Sequence, residues 1–212
     1  MRRLKTSQIQ PVIQALKKHY PDAHCALNFK NPFELLIATI LSAQCTDERV
    51  NKVTEVLFAK YPTPEALSKA TLPQIEKIIF SAGFYKNKAK NLKACAETLV
   101  EKHGSQVPKT MDELVVLPGV GRKTANVVLG NAYGIASGVV VDTHVSRLSN
   151  RFGWVKGDNA VVIERALNKL IPQEDWIMIS HYLIYHGRQI CKARNPSCDK
   201  CFLFDLCSRK GV

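Results

Sequence analysis

Leu117-Pro118-Gly119-Val120-Gly121-Arg122-Lys123-Thr124-Ala125 restricts the possible folds of this chain more than any other stretch. Pro118 ends whatever helix precedes it, because the residue before a proline is pushed out of the α region. Gly119 and Gly121 flank one small apolar residue; both allow positive φ and let a phosphate or another backbone come close, and Gly121 is expected to be left-handed. A helical pattern resumes at once through Thr124, Ala125, Val127, Val128 and Leu129. A helix that begins here leaves several amide N–H groups unpaired, and such an end attracts anions. The net charge is +12, so nucleic-acid phosphate is the anion to expect. Lys123 stands at the exit of the hairpin, where its side chain can reach what the hairpin holds.

A Gly-x-Gly pair alone also fits an ordinary turn followed by a solvated lysine. Helical pattern on both sides narrows it to the hairpin of a helix-hairpin-helix module. At 212 residues with 46% hydrophobic content the chain can bury a real core, in one domain or two. No apolar run approaches the roughly 18 residues that suggest a membrane span. Met1-Arg2-Arg3-Leu4-Lys5-Thr6 is basic, but no apolar signal core follows it. We expect a cytoplasmic, nucleoid-associated protein without membrane contact.

Helix signals dominate the chain. Ser7 with Gln10 suits a capping box. Asn31-Pro32-Phe33-Glu34 supplies an N-cap, a proline at the first helical position and an acid at the third. Thr71-Leu72-Pro73-Gln74 and Thr110-Met111-Asp112-Glu113 follow the same grammar. Helical spacing of apolar residues runs over 47–60, 89–99, 160–170 and 175–185, the last expected to stop at Gly187. Gly138-Val139-Val140-Val141 is the only β-like run, too short to build a sheet. The pattern predicts an all-α protein of roughly ten helices on short loops.

Cys25, Cys45 and Cys95 are scattered and read as small buried apolar residues. Cys191, Cys198, Cys201 and Cys207 crowd one segment, with six, two and five residues between neighbours. Four thiolates suit a tetrahedral zinc or a [4Fe–4S] cubane. Zinc ribbons present two matched Cys-x-x-Cys pairs; here one exists, and the wide unsymmetrical loop favours the cluster. Lys192, Arg194 and Lys200 in that loop are either solvated charge or partners for a phosphate backbone.

Asp142, in Val141-Asp142-Thr143-His144-Val145-Ser146-Arg147, precedes a helical pattern and is a natural N-cap. A cap also holds its carboxylate rigidly near a helix start, which suits a catalytic acid group. His144 reads as structural or pocket-lining.

The hairpin with its lysine, then Val-Asp-Thr-His, then Cys-x6-Cys-x2-Cys-x5-Cys, taken in that order, closely resemble the endonuclease III family of bacterial DNA glycosylases and AP lyases. The resemblance covers essentially the whole chain. It includes Leu41-Ser42-Ala43-Gln44-Cys45-Thr46-Asp47, Gly83-Phe84-Tyr85-Lys86-Asn87-Lys88-Ala89 and His186-Gly187-Arg188. It implies a six-helix barrel domain over 25–135, ending in the hairpin (111–131). A cluster domain would combine 1–24 with 136–212 and carry a [4Fe–4S] loop at 191–207. DNA would lie in a groove between them.

By resemblance, Lys123 is the nucleophile and Asp142 its acidic partner. The four late cysteines hold the cluster. Gln44 fills the space left by a flipped nucleotide, and Phe84 is the apolar wedge. Gly119, Gly121, Arg122, Lys192 and Arg194 meet the DNA backbone, and Ser42, Asp47 and His144 belong to the pocket. The attacking amine has to be neutral, so a dry cleft, Arg122 and the positive helix end are expected to favour that form. The implied partner is double-stranded DNA carrying a damaged pyrimidine or an abasic site, met by a monomer. Cys45 stands where relatives often have Ala, Phe84 where many have Leu, and Val115 where some carry a polar pocket residue.

Three other readings compete. Adenine-mismatch glycosylases share the hairpin and the cluster but lack the lysine and place a catalytic Glu elsewhere. A non-enzymatic helix-hairpin-helix binder, or a cluster-based electron carrier, needs no pairing of Lys123 with Asp142.

Overall fold

A computed structural model describes residues 9–212, so the expected Ser7–Gln10 capping box lies outside the described residues. Among the described residues eleven α-helices follow one another: α1 (Ile9–His19), α2 (Pro32–Leu41), α3 (Asp47–Lys60), α4 (Pro64–Ser68), α5 (Leu72–Ile79), α6 (Tyr85–His103), α7 (Met111–Val115), α8 (Arg122–Tyr133), α9 (Thr143–Phe152), α10 (Ala160–Leu170) and α11 (Trp176–Gln189). Short 3-10 turns lie between some of them, and no strand occurs among the described residues. Contacts divide the chain into two compact units. One is Cys25–Ile135; the other joins Met1–His24 to Ala136–Val212.

In the first unit α2 is the central post. Nine of its ten residues are buried, as expected of a helix apolar on all sides. It begins where Asn31 accepts a hydrogen bond from the Glu34 amide at 2.9 Å, with Pro32 in the first turn, as the local sequence requires. Helices α3, α6 and α8 all pack against this post. The helix that carries Lys123 is thereby held through Ala125, Val128 and Leu129, all buried. The helices α4 and α7 are single turns of five residues each, capped by Thr63 and Thr110.

The second unit has its own core, in which Val12, Ile13 and Leu16 of α1 meet Leu148 and Phe152 of α9 and Leu183 of α11. The valine run before α9 stays extended without pairing into a sheet. Val139 and Val141 are buried in that core, and the Val139 amide donates to Asn168 Oδ1 at 3.0 Å.

Gly187 departs from expectation. It does not end α11, which continues to Gln189. It is buried, and a Cβ there would lie 2.7 Å from His144 Nδ1 and 3.2 Å from His144 Cβ. The glycine is therefore a close-approach position between α9 and α11 and not a helix cap. Gly187→Ala should destabilise the protein by about 1–3 kcal/mol in urea unfolding despite alanine's better helix propensity, because the packed imidazole must move.

Candidate functional site

The hairpin is built from a short pattern. Val120 N–H donates to the Leu117 carbonyl at 3.1 Å, closing a turn with Pro118 and Gly119 at its centre. Gly119 has φ +78°, the arrangement a type II turn asks of Pro-Gly. Leu117 and Val120 plug into the core and fix the turn from below. A Cβ on Gly119 would sit 3.0 Å from Asn91 Cβ in α6 and 3.2 Å from Ile40 Cγ2 in α2.

Gly121 behaves differently from expectation. It is extended (φ −96°, ψ 174°), and a Cβ there would meet open space. Its role is to start α8 without any side chain over the helix end: no side-chain hydrogen bond caps α8. Most other long helices here are capped by Asn, Thr or Asp. Arg122 and Lys123 occupy the first turn beside those amides, and both are exposed.

Two further loops of the same unit carry the expected DNA-facing residues. Gln44 has φ +53° and is exposed; Phe84 has φ +47° and is 71% exposed. Left-handed angles cost a non-glycine residue about 1 kcal/mol or more, so both loops store strain. Ser42 spends its hydroxyl on the Thr39 carbonyl at the end of α2, at 2.8 Å. Asp47 is half-buried in the first turn of α3, which Thr46 caps by accepting from Arg49 N–H at 3.3 Å. Val115 is exposed at the end of α7.

In the second unit Asp142 caps α9: Oδ1 accepts the Val145 amide at 2.8 Å. The carboxylate is half-buried and rotationally fixed, so capping and a chemical role are compatible. His144 follows in the first turn, its Nδ1 3.1 Å from Arg147 Nη2. That same Nη2 donates to the carbonyls of Gly187 at 3.1 Å and Cys191 at 3.0 Å. One turn on, buried Arg151 donates from Nη1 to the Lys192 carbonyl at 2.7 Å and to Cys191 Sγ at 3.3 Å, and from Nη2 to the Ala193 carbonyl at 3.0 Å. Sequence reasoning assigned no role to either arginine. Their i, i+4 spacing on a helix was the available signal, but a loop 40 residues away cannot be read as its partner.

Cys191, Cys198, Cys201 and Cys207 all line one cavity, with Arg151, Phe152 and His186 in its wall. Two donors point at sulfur, Arg151 Nη1 to Cys191 and the Arg209 amide to Cys207, each at 3.3 Å, and His186 Nε2 lies 3.5 Å from Cys201 Sγ. Tyr20 Oη lies 3.0 Å from His186 Nδ1. Burial pushes the His186 pKa down to about 4. Among the described residues no three Cys, His, Asp or Glu side chains converge closely enough to hold a single metal ion. Four cysteine thiols facing one cavity are a donor set that fits a [4Fe–4S] cluster. Lys192, Arg194 and Lys200 are exposed on the outside of this loop.

Residues 37–173 match the model of the HhH-GPD superfamily of base excision DNA repair proteins, and 191–207 match the iron–sulfur binding domain of endonuclease III. Endonuclease III of Synechocystis sp. is 53% identical over 203 residues, covering 96% of this chain and 93% of that one. The Bacillus subtilis enzyme is 45% identical over 209 residues, covering 98% and 94%. The chain belongs to the endonuclease III family. A solved structure of a trapped endonuclease III–DNA covalent intermediate superposes with a TM-score of 0.92 at 47% identity, covering 97% of both chains. A thermostable thymine-DNA glycosylase follows at TM-score 0.86 and 26% identity, covering 96% of both chains. The group carried by the endonuclease III loop at 191–207 is a [4Fe–4S] cluster. Neither the adenine-mismatch reading nor a non-enzymatic binder is favoured by these relatives.

The glycine geometry orders two substitutions. Gly119→Ala should cost about 1–3 kcal/mol in urea unfolding, from a left-handed alanine and its contact with Asn91. Gly121→Ala should cost well under half as much, since its backbone and surroundings accept a Cβ.

Proposed function

We propose that this chain excises oxidised or ring-saturated pyrimidines from duplex DNA and cuts the resulting abasic strand, with Lys123 as nucleophile and Asp142 as acidic partner. The observation that carries the reading is Lys123 in the first turn of an uncapped helix, on a hairpin fixed to the core, in a chain of net charge +12. No described helix is long and apolar enough to cross a membrane. The DNA of a bacterial nucleoid is the proposed partner and a monomer the acting form.

The chemistry follows from the groups available. A damaged nucleotide leaves the stack at a cost of a few kcal/mol; Phe84 supplies the apolar wedge and Gln44 fills the gap. The neutral Lys123 amine attacks C1′, forming an N–C bond while the glycosidic bond breaks and the base departs with its electron pair. Positive charge develops on the sugar as this happens, and the fixed Asp142 carboxylate stabilises it and assists proton transfer to the leaving base. Sugar-ring opening yields a Schiff base; loss of a C2′ proton expels the 3′ phosphate by β-elimination.

The four cysteines are proposed to hold the cluster, which when bound ties the loop to α9 and α11 and contributes folding energy. Arg147 and Arg151 shape the loop so that Lys192 and Arg194 face outward toward phosphates. The His186 Nε2–H would donate to the Cys201 thiolate, with Tyr20 fixing that tautomer from the other side of the ring.

Lys123→Gln should lose strand cleavage and borohydride trapping while duplex binding survives; a variant that still traps would move the nucleophile elsewhere. Asp142→Asn should slow base release more than it weakens binding, measured in single turnover against Kd. Arg194→Ala should weaken binding to damaged and undamaged duplex alike and flatten the log Kd against log salt slope by about one unit. An unchanged slope would leave the cluster loop a structural clasp and not a DNA contact.

A further inference from the structure

Lys88 is 5% exposed, in the first turns of α6 beside the buried Ala89 and Leu92. Its Nζ donates to the Ala82 carbonyl at 2.8 Å, and its backbone amide donates to the Phe84 carbonyl at 3.1 Å. Between those two acceptors lie Gly83 at φ +68° and Phe84 at φ +47°, two successive left-handed residues. No side-chain hydrogen bond caps α6 here, and the Phe84 ring is too exposed for burial to hold it. Burial pushes the Lys88 pKa below the ordinary lysine value, so the charge is held there against its solvation preference. An apolar side chain of similar length would suit the packed position better, so core packing alone does not call for lysine.

We propose that Lys88 is a positioning residue for opening the duplex: its bond to the Ala82 carbonyl clamps the Gly83-Phe84 turn in the conformation that presents the Phe84 ring. The main-chain bond closes the turn on one side and the ammonium closes it on the other. Without the ammonium the two left-handed residues relax, and the wedge loses its fixed aim. This rests on reading Phe84 as the wedge.

The test separates flipping from chemistry. The first substrate is a fully paired duplex with one ring-saturated pyrimidine such as thymine glycol, which has to be unstacked. The second is a duplex with a preformed abasic site, whose extrusion costs least. Lys88→Met should slow single-turnover excision on the first by on the order of tenfold, the scale of losing one hydrogen bond from a charged donor. Borohydride trapping on the second should change by less than about twofold. In a Phe84→Ala background Lys88→Met should add no further loss on either substrate. Lys88→Leu, which likewise lacks the donor, takes the place of Lys88→Met should that variant fail to fold, with the same losses expected. Equal losses on both substrates, no loss on the paired one, or the same loss with and without the Phe84 ring would overturn the proposal. Failure of the wedge reading shows separately, as Phe84→Ala alone leaving paired-lesion excision unchanged.

Discussion

Every α-helix begins with amide N–H groups that nothing inside the helix can satisfy, and the way each end is treated organises this protein. Asn31, Thr46, Thr63, Thr110, Asp142 and Asn159 each cover such an end with a side-chain oxygen. The ends of α6, α8 and α11 are left without one, begun by Phe84, Gly121 and Asp175. Two of these ends carry the exposed aromatic and the exposed lysine. In the proposed reading the anionic DNA backbone arrives at those two open ends.

Helix α9 does the corresponding work in the second unit. Its first position fixes the Asp142 carboxylate, and its next turns present Arg147 and Arg151 to the carbonyls of residues 187 and 191–193. One short helix thus sets both the orientation of the acid and the path of the cysteine loop. Gly187 lets α11 approach closely enough for this, and the approach leaves no room for a Cβ. Charged guanidinium groups bonded to backbone carbonyls are among the stronger hydrogen bonds available. They give the loop a shape of its own beside whatever the cluster contributes.

The segments that meet the substrate in the proposed reading carry strain: Gln44, Gly83, Phe84 and Gly119 all have positive φ, as do Ser105, Asn195 and Arg209 elsewhere among the described residues. Such conformations persist only where the surroundings over-determine them. Leu117 and Val120 do this for the hairpin, and the Lys88 ammonium does it for the Phe84 turn.

Much of this was legible in the order of residues. Capping residues, prolines and apolar spacing mark the starts of α2, α5 and α7, because those effects act within one helical turn. The cysteine spacing likewise pointed to a cluster, since ligand number and loop width are local properties. The sequence could not separate Gly119 from Gly121, because either glycine permits a left-handed angle and only the packing against Asn91 and Ile40 shows which one must adopt it. Nor could it distinguish Gly187 as a helix end from Gly187 as a contact, or Lys88 as a surface charge from Lys88 as a buried brace. Those decisions depend on which distant side chain arrives at a given surface. Local sequence determines where helices begin and which chemistry is at hand; tertiary packing alone decides which glycine bends, which lysine is buried and which arginine finds a carbonyl 40 residues away.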